Sequence, residues 1–170
     1  MKKINKLFAL AVLMLAFTAT AFGQLSVITN ASAYIVAPLA IAKVTDLHFG
    51  TIMKGSLASN IELTPAGARN VLTGNAVPIG INPTRTVAQF TITGEPTFAY
   101  TISYPASTTI NGGGPAMTVD TFTGDVGPVS NIPGTGSQTL NVGAVLHVGA
   151  GAVQTSGLYT GTFTVSVNYN

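Results

Sequence analysis

Tyr159-Thr160-Gly161-Thr162-Phe163-Thr164-Val165-Ser166-Val167-Asn168-Tyr169 alternates at every step. Tyr159, Phe163, Val165, Val167 and Tyr169 share one face with Gly161, while Thr160, Thr162, Thr164, Ser166 and Asn168 share the other. Side chains of an extended chain point alternately to opposite faces. The stretch therefore predicts a strand with one face on a core and the other in water or beneath a polar neighbour. The same period-two pattern recurs upstream, interrupted by Gly, Pro and Asn, and helical periodicity is nearly absent.

Working outward, alternation predicts strands at 86–93, with Phe90 and Ile92 inward, and at 97–104, where Phe98, Tyr100, Ile102 and Tyr104 alternate with Ala99, Thr101 and Ser103. Gly94-Glu95-Pro96 joins these two tightly. Further strands are expected at 41–49, 59–64, 116–122, 137–142 and 145–148. Residues 111–115 and 124–136, rich in Gly, Pro, Ser and Asn, read as loops, the second long enough to be mobile. No repeat and no linker separates two cores. The chain is expected to be all-β, an immunoglobulin-like β-sandwich over residues 38–170.

Residues 1–23 read as a cleaved signal peptide. Lys2, Lys3 and Lys6 form a basic start, residues 7–22 an apolar run, and Ala21-Phe22-Gly23 a small-x-small cleavage site. The run is shorter than the roughly 20 apolar residues that span a bilayer. The expected destination is extracellular or cell-surface, reached through the periplasm. Residues 24–37 form a separate strand-like segment in which Leu25, Val27, Ala31, Ala33 and Ile35 share one parity with Thr29. It either pairs within its own sandwich or is donated to a neighbour.

Removing 23 residues from 170 leaves 147, in which Lys43, Lys54, Arg69 and Arg85 face Asp46, Glu62, Glu95, Asp120 and Asp125. The formal charge drops from +2 for the whole chain to −1. Four scattered cations cannot form the basic cluster that nucleic acid or an anionic membrane requires, so neither is an expected partner. The chain has no cysteine, which excludes disulfides, thiolate zinc, a Cys nucleophile and a lipobox lipid anchor. A folded domain of this size must rest on its core, and roughly 150 residues suffice for one.

Catalysis needs titratable groups brought together, and two histidines with five carboxylates offer few. Asp46 and His48, two apart, would point to one face and could share a metal, yet no third ligand is near; a solvent-facing pair is the expected state. His147 sits between Leu146 and Val148 and reads as a surface or satisfied core histidine. No Ser occupies a nucleophile elbow. Glu62, Glu95, Asp120 and Asp125 supply a carboxylate pair only in the sense that any five acids would, and Asp120 with Asp125 is too sparse for calcium. Gly112-Gly113-Gly114-Pro115 lacks the Lys of a phosphate loop. The expectation is a non-enzyme without catalytic, cofactor-binding or metal-ligating residues.

Four segments taken in order carry a family resemblance: Asp46-Leu47-His48-Phe49-Gly50; Phe90-Thr91-Ile92-Thr93-Gly94 with Tyr100-Thr101-Ile102; Val142-Gly143-Ala144-Val145-Leu146-His147-Val148; and Gly157-Leu158 running into the alternating C-terminal strand. Over about residues 30 to 170 the chain resembles domain of unknown function 4402, secreted bacterial proteins similar to fimbrial subunits. The C-terminus also resembles pilins of the chaperone–usher pathway, with Tyr169 penultimate and Gly157 fourteenth from the end. In such pilins the sandwich lacks a strand, and the N-terminal extension of the next subunit fills the gap. Lack of cysteine departs from many pilins and fits fimbrillin branches that dispense with the disulfide.

The resemblance implies a structural subunit of a surface fibre, serving adhesion or biofilm cohesion. Leu25, Val27, Ala31, Ala33 and Ile35 would be donated beside an assembly strand containing Gly157, Tyr159, Phe163, Val165, Val167 and Tyr169. Expected partners are copies of itself or related subunits, a periplasmic chaperone capping the apolar groove, and an outer-membrane assembly protein. Three alternatives stand beside it: a complete, self-sufficient sandwich; a secreted module binding carbohydrate or protein through Tyr34, Tyr100 and Tyr104; and a small outer-membrane β-barrel.

Overall fold

The computed structural model describes residues 23–80 and 83–170, so the expected leader, Gly23 apart, lies outside the described residues. Among the described residues every regular element is a strand. In order these are β1 Ala40–Thr45, β2 Ile52–Met53, β3 Ser59–Leu63, β4 Arg69–Thr73, β5 Val77–Pro78, β6 Ala88–Thr93, β7 Ala99–Ser103, β8 Ser107–Ile110, β9 Met117–Gly124, β10 Val129–Asn131, β11 Ser137–Val148 and β12 Ser166–Tyr169.

One sheet runs β1-β6-β11-β3-β4, with β9 on β11 and β8 on β9; a second runs β10-β7-β12; β2 and β5 form a small ribbon. The larger sheet ends on β1 and β4 and does not close into a ring. Alternate residues of the two main sheets enter one core. Ile61, Leu63, Ile92, Leu140 and Val142 come from the first and Tyr100 and Ile102 from the second, all of them buried. Burying a Val, Leu or Ile side chain contributes roughly 1.5–3 kcal/mol each, so these facing rows make the sandwich self-cohesive.

Strand β11 is its backbone. Its first half pairs β6, from Ser137↔Thr93 to Val142↔Ala88, and its second half lies between β3 and β9. The sequence reading splits it at Gly143-Ala144, yet the chain runs straight through. Gly143 permits this, because a Cβ there would lie 2.0 Å from Leu63 O. Only a residue without a side chain lets the β3 backbone approach where β11 changes partners.

Other expectations are corrected for the same kind of reason. Loop 124–136 contains β10, which pairs Val129↔Thr101 through Asn131↔Ala99 with β7, so that part is held rather than mobile. Strands β4 and β8, short and lacking a clean apolar alternation, escape the pattern search. The turn after β6 does not return the chain to its neighbour but carries it into the other sheet, since β6 and β7 belong to different sheets. At that crossing Thr97 takes φ 68°, unfavourable for a β-branched residue, while its N–H donates to Ile132 O at 2.8 Å. Residues 24–37, read as strand-like, enter no strand or bridge.

The deciding C-terminal stretch has the predicted faces but not the predicted ladder. Val165 is buried and Tyr159, Phe163, Val167 and Tyr169 are half-buried, whereas Thr160, Thr162, Thr164, Ser166 and Asn168 are exposed. Only β12 is paired as a strand, from Ser166↔Ser103 to Tyr169↔Tyr100 on β7. Upstream, Thr160 makes one isolated antiparallel bridge to Asn111, and the Thr108 hydroxyl donates to Thr162 O at 2.7 Å.

Candidate assembly groove

The partial pairing leaves an opening. Between the chain at 43–54 and the chain at 154–163 lies a groove of about 1140 Å³. Its floor is apolar: Ala88 and Phe90 of β6, Ile110 of β8, Met117 and Val119 of β9, and Leu146 and Val148 of β11. Of these side chains from four strands, Ala88, Met117, Val119, Leu146 and Val148 are buried and Phe90 and Ile110 half-buried, so the groove is lined by the apolar side of the core.

The C-terminal wall offers main-chain groups as well. In an extended chain the N–H and C=O of one residue point to one side and those of the next residue to the other. Thr160 uses both on Asn111, donating at 2.9 Å and accepting at 2.8 Å. Gly161, Phe163 and Val165 therefore turn theirs the opposite way, and residues 161–165 enter no ladder.

The facing wall is held from behind. His48 exchanges two 2.8 Å backbone bonds with Thr86. Gly50, at φ 77°, turns the chain so that its N–H reaches His48 Nδ1 at 2.8 Å. A Cβ at Gly50 would lie 2.6 Å from an Arg69 guanidinium nitrogen, so both conformation and space demand glycine. The Arg69 guanidinium donates to Phe49 O at 2.7 Å, Thr51 O at 3.2 Å and Ile79 O at 3.0 Å. Burial, then the neighbouring Arg85, lowers its pKa from the ordinary value, but an arginine remains a cation at any physiological pH.

One end of the groove is tied: Lys54 Nζ donates to Gln154 O and Gly151 N–H to Gly55 O, each at 2.8 Å. Away from the groove, the Tyr169 hydroxyl accepts from Glu95 N–H at 2.7 Å and donates to Ala37 O at 2.9 Å, while Ala37 N–H donates to Glu95 Oε2 at 2.9 Å.

The structure sorts the residues singled out from sequence. Tyr159, Phe163 and Gly157 line the groove, and Val165, Val167 and Tyr169 continue the same face toward β7. Leu25, Val27, Ala31, Ala33 and Ile35 are all exposed, the first at 99%. Tyr100 is fully buried, its hydroxyl donating to Gln138 Oε1 at 2.6 Å. Tyr104 packs against the core with a buried hydroxyl. The Tyr100 ring therefore presents no face for stacking a ligand, which corrects that part of the binding-module reading, while Tyr104 is half-buried.

Asp46 and His48 do not converge: Asp46 takes Lys43 Nζ at 2.6 Å, while His48 caps Gly50. Among the described residues no cluster of His, Asp and Glu has the makings of a metal site. One titratable pair went unseen. His147 Nε2 lies 2.9 Å from Asp120 Oδ2. The β9–β11 register places His147 opposite Thr118, one diagonal step from Asp120. Sequence holds both residues, but only the register joins them.

Asp120 has its pKa lowered, by His147 first, against desolvation and with help from the Thr121 hydroxyl. A lowered folded pKa means stability present above the unfolded value and lost as pH falls through the folded one. Asp120→Asn is therefore expected to flatten the acid limb of the stability profile below about pH 4. The loss near neutrality should be under about 1 kcal/mol, because the pair is about one third exposed and screened. Urea titrations from pH 3 to 7 check it; parallel acid limbs would refute the link.

Comparison with known proteins finds one family, described as Domain of unknown function (DUF4402), matching residues 39–169. No curated protein and no solved structure matches.

Proposed function

The chain belongs to the family described as Domain of unknown function (DUF4402), and from that premise we propose that it is a structural subunit of a bacterial surface fibre, polymerised by strand addition between copies. The observation that carries this reading is the groove: an apolar floor beside a C-terminal wall whose residues 161–165 enter no ladder. An inserted strand would supply main-chain partners to the wall and side chains to the floor, the two ingredients of strand addition.

The occupant is the segment preceding Val36 in a second copy. Residues 24–36 carry no charged side chain, and Leu25, Val27, Ala31, Ala33 and Ile35 alternate with more polar positions over most of its length. Each Leu or Val buried would contribute roughly 1.5–3 kcal/mol, and each main-chain hydrogen bond about 1 kcal/mol. Secretion across the periplasm, a capping chaperone, an outer-membrane assembly protein and a role in adhesion or biofilm cohesion belong to the same proposal. No reactive centre enters it.

The test compares the exported full-length protein with a variant lacking residues 24–35. The full-length protein should give detergent-resistant multimers that collapse to monomer on boiling, and antibody should label fibres on producing cells. The deletion should give folded monomer only. Multimers that persist in the deletion, or a full-length protein that stays monomeric at all concentrations, would overturn the proposal and leave a self-sufficient sandwich.

A further inference from the structure

Asn111 is the one asparagine of the chain that a glycine follows. In such a pair the amide nitrogen of the glycine can close on the asparagine Cγ to form a five-membered ring, because no Cβ stands in the way and the backbone is free to turn. The fold leaves both reacting groups accessible. Asn111 and Gly112 are exposed, and among the described residues neither the Asn111 carboxamide nor the Gly112 N–H has a hydrogen-bond partner. Asn111 commits only its own N–H and C=O, which donate to and accept from Thr160 at 2.8 and 2.9 Å. Neither of these groups forms the new bond.

Other asparagines are restrained. The carboxamides of Asn70, Asn75 and Asn141 donate to Glu62, Ser56 and Asp125, and Val71, Ala76 and Val142 follow them. What sets residue 111 apart further is its place in the fold, because the glycine run after it lies hard against the C-terminal wall. A Cβ on Gly112 would come within 2.5 Å of Leu158 O and 2.8 Å of the Tyr159 ring, and one on Gly114 within 2.4 Å of Thr155 Oγ1 and 2.7 Å of the Tyr159 hydroxyl. A main chain packed this closely cannot lengthen at residue 111 without displacing the wall.

We propose that Asn111 is a site of spontaneous deamidation, and that its isoaspartate product releases the C-terminal wall at Thr160. The Gly112 nitrogen gives its proton to solvent and bonds to Asn111 Cγ, and Asn111 Nδ2 leaves as ammonia. Water then opens the ring. Addition at Cγ breaks the new bond and gives aspartate, whereas addition at the main-chain carbonyl carbon breaks the original peptide bond and leaves Gly112 attached through Cγ, which is isoaspartate. In that product the main chain is one carbon longer, about 1.5 Å, and the carbonyl that accepted from Thr160 has become a free carboxylate outside the chain. The reaction needs only water, and it stands whether or not copies exchange strands.

Ageing the purified protein in mildly alkaline buffer tests the first half, with peptide mass mapping to locate each exchange of ammonia for water and enzymatic methylation to score isoaspartate. Asn111 should convert at least about tenfold faster than Asn70, Asn75 or Asn141, and within about tenfold of its own rate in urea-unfolded protein. A rate no faster than theirs, or a folded rate more than about tenfold below the unfolded one, overturns the assignment. Hydrogen exchange at the Thr160 amide tests the second half and should quicken at least about tenfold in the aged, isoaspartate-bearing protein. Two controls should stay within about twofold of fresh protein: Asn111→Gln aged alike, whose longer side chain disfavours the ring, and freshly made Asn111→Asp, which adds the charge without the extra carbon. Unchanged Thr160 exchange in the isoaspartate form, or equal quickening in fresh Asn111→Asp, overturns release by chain lengthening.

Discussion

Tyr100→Ala is expected to lower the unfolding free energy by about 3–5 kcal/mol, the range for aromatic-to-alanine truncation in a closed core. Tyr100 is 0% exposed on β7, the middle strand of the smaller sheet, and its ring meets the side chains of the facing sheet. Its hydroxyl donates to Gln138 Oε1 at 2.6 Å, with Gln138 on β11, so one residue contributes both packing and a polar tie between the sheets. The two contributions separate. Tyr100→Phe keeps the ring and strands Gln138, and should cost about 1–2 kcal/mol. A single domain with several kcal/mol in total does not survive the larger loss comfortably. Urea denaturation of the three proteins gives the comparison; a Tyr100→Ala loss below about 1.5 kcal/mol would mean that the sandwich collapses around the cavity.

Arg69→Met should cost about 2–3 kcal/mol and loosen one wall of the groove. The methionine keeps most of the aliphatic stem but removes the donors that hold Phe49 O, Thr51 O and Ile79 O together. Hydrogen bonds from a charged donor are worth about 1.5–3 kcal/mol each, reduced here because the site is only partly buried. Arg69→Lys should recover less than half, since an ammonium is a point donor and cannot fork across three carbonyls. Limited proteolysis supplies the second readout: cleavage between Phe49 and Met53 should rise in Arg69→Met at urea concentrations where the rest stays folded. Unchanged cleavage would show that the Thr86 bridge alone holds the wall.

How much was legible in advance is clearest at the C-terminus. Which residues of 159–169 face inward follows from parity alone, because successive side chains of any extended chain must oppose one another. Which of those residues have partners does not follow. Threonines at 160, 162 and 164 look alike in sequence, but β7 gives way to β8 across residues 104–106, and the change interrupts the ladder that β12 begins. Arg69, which organises the opposite wall, looked like one of four scattered cations; it bonds to carbonyls twenty and eighteen residues behind it and ten ahead, with no spacing signal to find. Asp120 and His147 were likewise separate until β9 paired with β11.

By itself the sequence determined an all-β chain, the inward set of each strongly alternating strand, and an uncharged apolar segment ahead of the domain. These are local consequences of a two-residue repeat and of composition, and they hold whatever the strands pair with. Tertiary structure decided pairing: that Gly143 lets one long strand serve three neighbours, that the turn after β6 crosses between sheets, and that one edge ends without a partner. Pairing is a contest among distant segments for the same backbone groups, and its outcome depends on register, twist and close approach, which no single stretch of chain contains.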